Sequence, residues 1–187
     1  MKKSIKNGLG KYIYTEWLLP VKDYYCSIRK NEVVFEIIIP IFIALGCTIK
    51  YSNIGKLFHA LKRMSELLPT AISILIGFTF MLITLLLTSS GPNVELLKEK
   101  ETGTILYGKP VTLYQGLHIQ FSHSLFSEII LLLLIFFYLF WSGLGMPNTI
   151  ALIILAVEVY LTLNILFSIL RGITSLYFSF YNKDRKQ

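Results

Sequence analysis

The sequence predicts an all-α integral membrane protein with four transmembrane helices, an interfacial amphipathic helix, and both termini in the cytosol (N-in/C-in). Three observations carry this. Of 187 residues, 54% are hydrophobic and 16% charged, against about 25% charged for a soluble domain. The apolar residues lie in a few long runs. The 18 lysines and arginines are divided unequally between the connecting segments, 14 of them on one side, and short positive segments mark the cytosolic face.

A basic, aromatic arm (1–32) comes first. Lys2, Lys3 and Lys6 resemble the start of a leader, but Lys11, Glu16, Lys22 and Asp23 follow before any apolar run, so no cleavable signal is expected. Tyr12, Tyr14, Trp17, Tyr24 and Tyr25 stand among lysines. Such interleaving suits base stacking, but beside a membrane it more often marks the headgroup belt or a protein contact. Direct nucleic-acid binding is therefore not expected.

The transmembrane domain spans 33–181. Its first helix is expected at 33–51, interrupted by Glu36 and by Pro40, which should kink it. Segment 53–68 reads as a helix lying on the membrane surface. Leu57, Phe58 and Leu61 share one face with Met64 and Leu68, while Lys62 and Arg63 lie on the others. That pattern serves either a connector or a lipid-packing sensor. The second span, 67–89, carries no charge. The third, 113–141, ends in the most apolar run, IILLLLIFFYLFW. At about 43 Å it exceeds the roughly 30 Å of hydrocarbon, so its first turns should project into the cytosol. The fourth covers 149–170, with a helical pattern running on to Tyr181, and a basic tail (182–187) follows.

The cytosolic loop 90–112 is charged and balanced, with a short helix expected near 93–101. Within it, GTILYGKP has the spacing of a phosphate loop up to Lys109. Pro110 then stands where a Ser or Thr should bind magnesium, so the segment reads as a glycine–proline turn. Cys26 and Cys47 fall on different sides of the interface, and His118 and His123 do not share a helix face. Neither a disulfide nor a metal site is indicated, and no cofactor is expected.

The chemically informative residues are polar groups inside spans. Glu158 stands near the middle of the fourth, where a charge costs on the order of 2.5–3.5 kcal/mol on insertion scales. It must be protonated and hydrogen-bonded between helices, or part of a polar pore. The third span carries Gln120, His123, Ser124, Ser127 and Glu128 near one side; the fourth carries Tyr160, Asn164, Ser168 and Arg171. If the two stripes face each other, Glu128 and Arg171 would form an ion pair at similar depth. The gating candidates are thus Glu158, Glu128, Arg171, Asn164 and His123. The cytosolic partner-contact candidates are Trp17, Tyr24, Glu95, Lys98 and Lys109.

Enzyme signatures are missing: no serine within a glycine elbow, no paired-glutamate protease helix, and Asp23 and Asp184 as the only aspartates. The expected function is non-enzymatic: an oligomeric membrane sensor or effector, lying against anionic lipid and recruiting a cytosolic protein. The alternative is a small oligomeric ion channel or transporter subunit using Glu158. With ILIGFTF in span two and a charged loop ending YGKPVTLYQ before a long third helix, the chain resembles small four-span membrane components of bacterial antiphage defence, such as the Kiwa-type membrane subunit. The resemblance is one of architecture. It implies a self-associated sensor in the bacterial inner membrane, working with a cytosolic nucleic-acid-binding subunit, and it transfers no functional residues.

Overall fold

The computed structural model describes residues 18–51 and 53–181. Helix α1 (Leu19–Ser27) precedes a continuous first span. That span begins as α2 (Lys30–Val33), passes through a π-helical turn (Val34–Ile38) and continues as α3 (Ile39–Lys50). Helix α4 (Ile54–Thr88) is followed by the short α5 (Pro92–Glu99) and an antiparallel hairpin, β1 (Glu101–Leu106) and β2 (Lys109–Thr112). Two long helices, α6 (Leu113–Ser142) and α7 (Asn148–Tyr181), close the fold. Four helices are long and apolar enough to cross a membrane: Lys30–Lys50, Gly55–Thr88, Leu113–Ser142 and Asn148–Tyr177. The expected count and order of spans hold.

Helix α6 is central, packed on α1, α4 and α7, while α3 packs on α7. Three apolar clusters stack along the bundle. Leu57, Leu61, Tyr138, Ala151 and Leu155 form one at the α6–α7 loop end, and Ile72, Leu131, Ile135 and Ile165 form the middle one. Leu86, Leu97, Leu117 and Phe121 form the third, at the hairpin end.

Two features differ from expectation. The segment expected to lie on the membrane and the second span are one 35-residue helix, α4, which Pro69 does not interrupt. Its buried positions are Leu57, Leu61, Ser65, Ile72, Thr79 and Leu86. Their spacing of four and then seven makes one stripe along one face. Leu57 and Leu61 therefore pack on the end of α6 and the start of α7. Phe58 is half-buried beside them, and Lys62 and Arg63 are exposed. At about 52 Å, α4 is longer than the hydrocarbon layer.

The second difference is the hairpin. Tyr107 and Gly108 both have positive φ, 52° and 76°, which is the two-residue turn whose twist matches antiparallel strands. Leu106 pairs with Lys109 and Ile105 with Pro110, and a register shift separates them from the Glu101–Thr112 pair. The turn is thus Tyr107–Gly108, and Pro110 lies within β2. No linker separates β2 from α6. The Gln115 N–H donates to Thr112 Oγ1 at 3.3 Å and the Thr112 N–H to Gln115 Oε1 at 3.1 Å, a reciprocal cap that fixes the helix start.

Candidate functional site

The polar stripes of α6 and α7 do face each other. Gln120 Nε2 donates to the Ser168 carbonyl, and Ser124 Oγ lies 3.1 Å from Ser168 Oγ. One turn on, a Cβ at Gly172 would stand 2.6 Å from the Phe121 ring. Only glycine allows this closeness between the two helices.

The first span docks on this pair through its backbone as well as its side chains. Pro40 has no N–H to give to the carbonyl of Glu36, four residues back. Asn164 Nδ2, from α7, donates to that carbonyl at 2.8 Å. The buried Glu36 carboxyl is shared between two groups: Tyr24 Oη donates to Oε2, and Arg171 Nε stands 2.7 Å from Oε1. Arg171 Nη1 reaches Glu32 Oε2 at 2.5 Å. The Tyr24 ring stacks on His123, centroids 3.7 Å apart and planes 5° from parallel, with the Arg171 guanidinium 5.6 Å from its centre. Burial, then the neighbouring Glu36, pushes the Tyr24 hydroxyl far above its ordinary value, so it remains a neutral donor.

These contacts correct two expectations. Arg171 pairs with Glu32 and Glu36, not with Glu128. The antiparallel register sets Gln120 and Phe121 level with Ser168 and Gly172, which leaves Arg171 roughly 10 Å along the axis from Glu128. Glu128 instead accepts from Thr79 Oγ1 of α4 at 2.8 Å. Tyr24 is only 1% exposed, so its side chain holds the fold together and offers no partner surface. Glu95, Lys98 and Lys109 are exposed, and Lys98 Nζ lies 5.2 Å from the Tyr114 ring centre. Trp17 lies outside the described residues.

Glu158 stands apart. Both its carboxyl oxygens are buried, and neither has a hydrogen-bond partner among the described residues; Glu128 Oε2 is in the same condition. Ten residues past Asn148, Glu158 is about 15 Å along α7, half of the hydrocarbon thickness.

Above Arg171 the polar cluster continues out of the bundle. Glu32 Oε2 also accepts from the Arg29 N–H at 2.8 Å, and the Arg29 guanidinium donates to the Thr102 carbonyl of β1. Tyr107 Oη, at the hairpin tip, donates to Asp23 Oδ1 of α1 at 2.6 Å. The hairpin is therefore tied to α1 and, through Arg29, Glu32 and Arg171, to α7. A cleft of about 290 Å³ opens between hairpin and bundle, with Arg29, Glu32, Lys100, Glu101 and Arg171 among its walls.

Sequence reasoning gave Glu36 little weight and missed Glu32. One signal was present: a glutamate four residues before a proline has a free carbonyl that another helix must satisfy. Among the described residues, no group of three or more His, Cys, Asp or Glu side chains is placed to hold a metal ion. Comparison with known proteins finds no matching family model, no matching characterised sequence and no matching solved structure.

Proposed function

We propose that this chain is a non-enzymatic multipass membrane protein that senses the state of the bilayer and transmits it to a surface formed by α1, α5 and the hairpin. One observation carries the reading: the unbroken polar chain from Arg171 in α7, through Glu32 and Arg29, to the Thr102 carbonyl in β1. A tilt or slide of α7 that moves Arg171 must pull on the hairpin or break a charge-assisted bond. The exposed Glu95, Lys98 and Lys109 supply the partner-contact surface, which faces the cytosol in the N-in/C-in orientation. The resemblance to Kiwa-type subunits suggests a setting: a self-associated sensor in a bacterial inner membrane, paired with a cytosolic effector in antiphage defence.

The coupling is testable in liposomes. An environment-sensitive dye at Ile105→Cys, in a Cys26→Ser/Cys47→Ser background, reports the hairpin. Its signal is expected to change as acyl chains are lengthened, and Arg29→Ala is expected to abolish that change. A dye response that survives Arg29→Ala sinks the proposed coupling.

A second reading, an ion-conducting oligomer, is favoured by the unpartnered oxygens of Glu158. Liposome flux that disappears in Glu158→Ala supports it; a silent bilayer removes it.

A further inference from the structure

The cleft between hairpin and bundle is walled in part by Arg29, Glu32, Thr102 and Arg171, the residues of the coupling described above, and its walls are chemically selective. We propose that it is a binding site for the headgroup of a monoanionic, hydroxyl-bearing phospholipid of the phosphatidylglycerol type. The assignment holds whichever partner the hairpin surface takes.

Depth is the first ground. Arg171 lies 23 residues beyond Asn148, about 34 Å along α7, so it stands where that helix leaves a hydrocarbon layer of roughly 30 Å. Lipid phosphates occupy that level. Charge is the second. Arg171 is already matched by Glu32 and the buried Glu36, but Arg29 and Lys100, on the same walls, stand in no salt bridge among the described residues. Two such cations beside one carboxylate, Glu101, favour the phosphodiester of an anionic lipid over a zwitterionic headgroup. Hydrogen-bonding capacity is the third. A guanidinium has five N–H donors, and the two carboxylates beside Arg171 engage Nη1 and Nε only. The glycerol hydroxyls would meet the carboxylate of Glu101. Last, Val111, Leu113 and Leu117 form an apolar wall, suited to the ester-linked glycerol and first methylenes of a lipid and useless to a soluble phosphate.

The test uses the full-length chain, purified in mild detergent and stripped of lipid. Phosphatidylglycerol, phosphatidylcholine or inorganic phosphate is titrated while native mass spectrometry counts adducts and thermal melting follows stability. One phosphatidylglycerol is expected per chain at low lipid, at least tenfold tighter than phosphatidylcholine, and inorganic phosphate is expected to leave the melt unchanged. Lys100→Glu reverses an exposed wall charge, and Arg29→Ala removes the second cation. Each should weaken phosphatidylglycerol at least tenfold. Lys62→Ala/Arg63→Ala, at the opposite end of the bundle, should not. Lys100→Glu also guards the result if Arg29→Ala loosens the hairpin. Unchanged binding in Lys100→Glu overturns the site, as does equal loss in the Lys62→Ala/Arg63→Ala control. Stabilisation by inorganic phosphate equal to that by phosphatidylglycerol makes it a soluble-anion site and overturns the lipid assignment.

Discussion

Pro40 withholds an N–H from the Glu36 carbonyl, and Asn164 supplies one from another helix. Such complementarity predicts a rescue. Asn164→Leu leaves a buried carbonyl unsatisfied and is expected to cost about 1–3 kcal/mol. Pro40→Ala restores an N–H four residues past Glu36, so the double variant should recover most of the loss in thermal melts. Additive losses would refute the pairing. Arg171 is more exposed to loss, because its removal strands the buried Glu36 carboxylate. Arg171→Leu is expected to destabilise by about 3–5 kcal/mol, and Glu32→Gln, at the wetter end of the cluster, by well under 1 kcal/mol. Tyr24 adds a pH dependence of defined sign. Its folded pKa is raised, so its contribution is intact below the ordinary tyrosine value of about 10. Above that, the unfolded chain releases a proton that the folded chain keeps, and stability falls by about 1.4 kcal/mol per pH unit. Tyr24→Phe should flatten the alkaline limb of the stability profile between pH 10 and 12; an unchanged slope would show that this hydroxyl does not titrate as described. Of these residues, Asn164 and Arg171 were legible as polar interruptions of an apolar run. Their partners were not, because a contact such as Arg171–Glu32 spans 139 residues, and one sequence holds no information on which helix lies beside which.

Elements were legible where a single physical signal dominated. The apolar runs marked four spans, and the first and third within about three residues at each end; the second begins 12 residues earlier than its apolar run, and the fourth runs on past its own. They did not mark the continuity of α4. The charges of segment 53–68, Lys62 and Arg63 among them, argued for a separate surface helix, whereas the stripe through Leu57, Leu61, Ile72, Thr79 and Leu86 marks one helix, and burial of that stripe against α6 and α7 won. The hairpin was also written locally, as Tyr107–Gly108 between short runs of Thr, Ile, Leu and Val, although Gly108 and Pro110 together read as a glycine–proline turn. The α6–α7 crossing gives the prediction for this scale. Gly172→Ala places a methyl group within 3 Å of the Phe121 ring and is expected to cost about 1–3 kcal/mol by overpacking. Trimming the ring in Gly172→Ala/Phe121→Leu should return part of it. A Gly172→Ala protein that melts with the parent would mean that the helices separate without cost.

Across the whole molecule, the buried polar groups fall into two kinds. Gln120, Ser124, Asn164, Ser168 and Glu36 are all engaged between helices, and they hold α1 and the first span onto α6 and α7. Glu158 is buried ten residues into α7, with both oxygens unpartnered among the described residues. An unsatisfied buried polar group lowers stability, and replacing it by an apolar group of similar shape is neutral or stabilising. The two kinds therefore respond with opposite sign to the same substitution. Asn164→Leu should lower the melting midpoint, whereas Glu158→Leu should hold or raise it by a few degrees, about 2–4 °C per kcal/mol for a chain of this size. Such a gain would mean that Glu158 weakens the isolated fold, as residues placed for activity commonly do, and would direct functional assays to it. If Glu158→Leu instead melts as low as Asn164→Leu, the carboxyl has a partner in the assembled protein, and cross-linking between copies at neighbouring positions of α7 becomes the measurement that locates it.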